Sequence, residues 1–70
     1  MTYHQLQRAV AGMLRDARVP APETDALFLL QYLTGTDLTH YLLITAEKVP
    51  EKEQERCLEM ARGRASLSPL

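Results

Sequence analysis

Residues 22–35 read PETDALFLLQYLTG. Pro22 fits the first turn of a helix, where its missing N–H costs nothing. Glu23 and Asp25 place negative charge at the positive end of the helix dipole. Gly35 suits the left-handed residue that closes a helix. Between these signals, Ala26-Leu27-Phe28-Leu29-Leu30 is apolar on every side. Such a helix is usually central and packed on more than one face. This segment is therefore expected to be the spine of an all-α domain.

The segment before it is amphipathic. Leu6, Val10, Met13, Leu14 and Ala17 fall at i, i+4, i+7, i+8 and i+11, one face of a helix. Thr2 and Gln5 have capping-box spacing. Arg15 and Arg18 suit the negative end of its dipole, and Pro20 is expected to stop it. After Gly35 comes a short helix, capped by Thr36 or Asp37, with Leu38, Tyr41 and Leu42 expected on its inner face. The β-branched Ile44 and Thr45 loosen it toward a loop at 46–49. A last helix begins at Pro50, with Glu51 and Glu53 in its first turn. Cys57, Leu58, Ala61 and Ala65 form its narrow apolar stripe. Lys52/Glu55, Glu53/Arg56 and Glu59/Arg62 are spaced to pair on its exposed side. No stretch shows the strict alternation of a half-buried strand. The fold class is all-α: a small bundle of four short helices, five if one breaks.

Composition narrows the function. The chain has 70 residues, 46% hydrophobic and 24% charged, with a formal net charge of -1. That allows one domain, and one whose size is marginal, since a chain this short buries only about 60% of its unfolded surface. The single cysteine, Cys57, permits no internal disulfide. An unstapled small domain points to a reducing, cytoplasmic setting. The N-terminus lacks the apolar core of a signal peptide, and no apolar run approaches the ~20 residues of a membrane span.

Candidate chemistry is sparse. His4 and His40 stand on different helices, and no Cys/His cluster has metal-ligand spacing. Cys57 lies in an apolar stripe, the setting of a structural thiol. Gly12, Gly35 and Gly63 form no phosphate-cradling loop. LLQYLTGTDLTHYLL resembles a helix–turn–helix, but no Lys or Arg occurs between Arg18 and Lys48. That stretch carries Glu23, Asp25, Asp37 and Glu47, so DNA phosphates would repel it. No catalytic, cofactor-binding or metal-binding residue is assigned, and no direct nucleic-acid or membrane partner.

The order of elements resembles the N-terminal domain of the HemK/PrmC family, protein-glutamine methyltransferases that modify class 1 peptide chain release factors. The family's second helix typically reads P-x-x-D-A-E-x-L-L with a glycine soon after. Pro22, Asp25, Ala26, Leu29, Leu30 and Gly35 match, whereas Leu27 replaces the Glu. Its last helix closes with R-R-x-x-G-x-P. Arg64 and Pro69 match, whereas Gly63 and Leu67 depart. The resemblance implies a domain spanning 1–70 that helps to dock the release factor and meets its own catalytic domain. The chain would continue past Ser-Pro-Leu into that domain, which binds S-adenosylmethionine and methylates the glutamine of a Gly-Gly-Gln loop. The fragment itself would be inactive. Asp25 and Arg64 match the family pattern and are charged residues beside apolar segments. They are expected to form a structural ion pair between the start of the second helix and the end of the last. The rival reading is a stand-alone helical protein-interaction module with no enzymatic activity.

Overall fold

The computed structural model describes residues 1–66. Leu67, Pro69 and the Ser-Pro-Leu ending, on which part of the resemblance rests, lie outside the described residues. The fold is an all-α bundle of four helices: α1 (Tyr3–Asp16), α2 (Pro22–Thr34), α3 (Leu38–Ile44) and α4 (Glu51–Ser66). Among the described residues none breaks to give a fifth.

The chain is stitched shut at its start. Gln5 N–H donates to Thr2 Oγ1 at 3.2 Å, and Thr2 N–H donates to Gln5 Oε1 at 2.9 Å, closing the capping box. The Tyr3 and His4 amides donate to the carbonyls of Glu47 and Thr45, each at 3.0 Å. Val49 N–H donates to the Met1 carbonyl at 2.9 Å. The orphan donors of the first turn of α1 are thus all satisfied, and the α3–α4 loop is fastened to the N-terminus.

Pro20 does not stop α1. The helix has already ended when Arg18 turns left-handed, with φ of 62°. Arg18 N–H donates to the Arg15 carbonyl at 3.0 Å and Val19 N–H to the Leu14 carbonyl at 2.9 Å. This is the paired closure normally built around glycine, and it buries Val19 beneath the helix end. Ala21, also left-handed, leads into Pro22 at the start of α2. Gly35 closes α2 in the left-handed conformation.

The core joins all four helices. Leu6, Val10 and Leu14 of α1, Ala26 and Leu30 of α2, Tyr41 of α3, and Cys57 and Ala61 of α4 are fully buried. Met13, Ala17, Leu27, Leu29, Leu33, Ile44, Leu58 and Ala65 pack around them. α2 touches each of the other three helices, so it is the spine. It is not covered on every side, however: Phe28 is 61% and Tyr32 76% exposed.

Two further expectations give way. Asp37 caps α3 through the His40 amide at 2.8 Å, but only Tyr41 of the expected inner face is buried. Leu38 and Leu42 face outward, as does Leu43. The short helix rotates to put the largest side chain inside, where Tyr41 OH donates to Gln7 Oε1 at 2.7 Å. On α4, none of the three anticipated pairs closes among the described residues, whose ion pairs are Arg15–Glu23, His40–Asp37 and Arg64–Asp25. Glu53 instead accepts from Tyr3 OH at 2.7 Å, which ties the start of α1 to α4.

A candidate protein-docking groove

The open side of the spine forms one wall of a groove. Asp25, Phe28, Leu29 and Tyr32 line it from α2; Met60 and Arg64 line it from α4. The α2 residues stand at i, i+3, i+4 and i+7, a single helix face. At 1.5 Å per residue they extend over about 10 Å. The α4 residues are one turn apart. The inner neighbours of this face, Ala26, Leu30 and Ala61, are fully buried in the core. They therefore fix the two walls rigidly. The groove is a shallow one, open to solvent, with about 290 Å³ of space along it.

Its two charged residues meet at one end. Arg64 Nε and Nη2 donate to Asp25 Oδ2 at 3.2 and 2.9 Å. Both donors converge on one carboxylate oxygen. Oδ1 of Asp25 and Nη1 of Arg64 have no protein partner among the described residues. The first turn of α2 and the last turn of α4 are thereby held together. The cation is the more accessible member, with its side chain 46% exposed against 25% for the acid.

The tyrosines separate structure from surface. Tyr3 and Tyr41 spend their hydroxyls on Glu53 and Gln7. Burial, helped at Tyr3 by the hydrogen bond to Glu53, pushes each phenol up to about 12. Tyr32 OH has no protein partner among the described residues, and its ring stands in solvent. Phe28 shares that exposure. Exposed aromatics beside Met and Arg are the composition enriched at protein–protein interfaces. The groove is made from residues that periodicity could not assign, because α2 is apolar on all sides and Met60 and Arg64 lie far away in the chain. Only the apolar surplus of α2 pointed toward it.

Other polar groups do structural work. Burial pushes the Cys57 thiol up to about 11, the reverse of what activates a nucleophile. His40 pairs with Asp37 through Nδ1 at 2.8 Å, while His4 lies apart on α1. Among the described residues no three His, Cys, Asp or Glu side chains gather as a metal would require, and no helix is long and apolar enough to cross a membrane.

A family model described as the PrmC N-terminal domain matches residues 5–70. No curated protein and no solved structure matches the chain.

Proposed function

The chain belongs to the PrmC N-terminal domain family, and from that membership we propose that it is the substrate-recognition domain of a cytoplasmic release factor glutamine methyltransferase. It helps to dock a class 1 peptide chain release factor. A separate catalytic domain of the same enzyme binds S-adenosylmethionine and methylates the glutamine of the factor's Gly-Gly-Gln loop. The observation that carries the docking role is the groove: Phe28 and Tyr32 exposed beside Met60 and Arg64 on a rigid two-helix frame. Contacts remote from the reacting atom can orient a substrate and raise the rate of its reaction. A domain that presents exposed interface side chains on a two-helix frame suits that division of labour.

The test compares the whole enzyme with a form lacking residues 1–70. Each is assayed with intact release factor and with a short peptide containing Gly-Gly-Gln. Truncation is expected to lower kcat/KM for the intact factor while leaving methyl-donor binding in place. The peptide, too short to reach this domain, is expected to be modified equally and poorly by both forms. Unchanged efficiency toward the intact factor would favour a helical interaction module with another partner.

A further inference from the structure

The floor and rim of the groove are apolar: Phe28, Leu29 and Met60. Its polar groups are unequally exposed: at the Asp25–Arg64 end the cation is the more accessible, and the free Oδ1 of Asp25 is the less so. At the other end Tyr32 offers a hydroxyl that has no protein partner among the described residues. Arg64 offers the part of its guanidinium fork that Asp25 leaves unused. A guanidinium carries five N–H donors in a rigid plane. Asp25 engages Nε and Nη2 through one oxygen, so among the described residues the Nη1 donors have no protein partner. The same contact fixes the plane of the fork, which presents those donors pre-oriented. An incoming cation would meet Arg64 first, since Asp25 is the less exposed of the pair. An incoming carboxylate would meet a positioned cation and gain a charge-assisted hydrogen bond.

We propose that the groove receives an acidic–apolar segment of the protein substrate: an aliphatic or aromatic side chain seated between Phe28, Tyr32 and Met60, with an Asp or Glu of the same segment received by Arg64. This rests on the reading of the domain as one that holds a protein substrate. The groove length of about 10 Å sets the scale of the segment at roughly three extended residues. The apolar side chain supplies affinity by burying the exposed aromatics. The carboxylate supplies register by choosing the Arg64 end.

The experiment uses the whole enzyme with intact release factor, and the Gly-Gly-Gln peptide as control. Tyr32→Ala alters an exposed side chain, and Arg64→Glu removes a surface pair whose contribution to stability is small, so both variants are expected to keep the parent's circular dichroism. Each is expected to raise KM for the intact factor about tenfold, the effect of losing one interface anchor. kcat and activity on the peptide are expected to stay unchanged. Arg64→Lys keeps the charge but loses the fork and is expected to fall between. If deletion of residues 1–70 raises KM while both point variants match the parent, the groove is not the seat, although the docking role stands. If deletion has no effect, the docking role itself fails. If Tyr32→Ala raises KM and Arg64→Glu does not, the occupant is apolar without the acid, and the proposal is overturned. Sedimentation showing a parent dimer that Tyr32→Ala dissociates would make the occupant a second copy, which also overturns it.

Discussion

Arg18 holds a backbone conformation that an L-residue with a Cβ adopts at a cost of about 1–2 kcal/mol. Its φ of 62° is needed for the closure that brings Val19 under α1. Glycine would remove that strain but would also lose more freedom on folding, an opposing effect of about 0.5–1 kcal/mol. Arg18→Gly is expected to stabilise the domain by about 0.5–1 kcal/mol. Thermal denaturation should show Tm rising by a few degrees. No change, or a fall, would mean that the Arg18 side chain holds something in place. Nothing in the local sequence marked this turn, because the usual glycine is missing and Pro20 offered a more obvious stop. The buried hydroxyls and thiol have their own consequence. Tyr3, Tyr41 and Cys57 are raised from 10, 10 and 9 to about 12, 12 and 11. Folding therefore favours their protonated forms. Below about pH 9 their stabilisation is fully present, and it is lost as pH climbs through the folded values. Melts recorded from pH 8 to 11 are expected to show Tm falling above pH 9, with the Cys57 thiol slow to label until the domain opens. A Tm independent of pH over that range would show that these groups titrate alike in both states.

Helices differ in how plainly they announce their inner face. α1 spans almost four turns, enough for Leu6, Val10 and Leu14 to define a stripe, and these three are fully buried. α3 has seven residues. Two turns, apolar at five of seven positions, are too short to fix a phase, and of Leu38, Tyr41 and Leu42, all expected inside, only Tyr41 is buried. Packing resolved the choice through Tyr41, whose ring fills the core and whose hydroxyl reaches Gln7. α2 was ambiguous for the opposite reason, since every face is apolar and tertiary contacts alone decide which is covered. Leu30 lies on the covered face with no exposure. Leu30→Ala is expected to cost about 2–5 kcal/mol, close to the whole reserve of a domain this small. Circular dichroism at room temperature should find it largely unfolded. A cooperative melt near the parent's would mean that α2 is not the spine.

Seen whole, two of the ties between elements have separate consequences. One is the Asp25–Arg64 pair, which joins the start of α2 to the end of α4 at one end of the groove. An exposed pair contributes about 0–1 kcal/mol, and partial shielding of Asp25 favours the upper part of that range. A double-mutant cycle of Asp25→Ala and Arg64→Ala in thermal melts is expected to give a small stabilising coupling. A coupling of zero would mean that the contact only positions the guanidinium. The other fastening is the N-terminal clasp, in which Tyr3 and His4 donate to Glu47 and Thr45. Amides in the first turn of a helix ordinarily trade their hydrogens with water quickly, because helix ends fray. Here that turn cannot fray without pulling the α3–α4 loop away as well. The first turn of α1 and the loop that follows α3 thus open as one unit. Native-state hydrogen exchange should find the Tyr3 and His4 amides as slow as those deep in α1, so that the first turn of that helix reports on unfolding of the entire bundle.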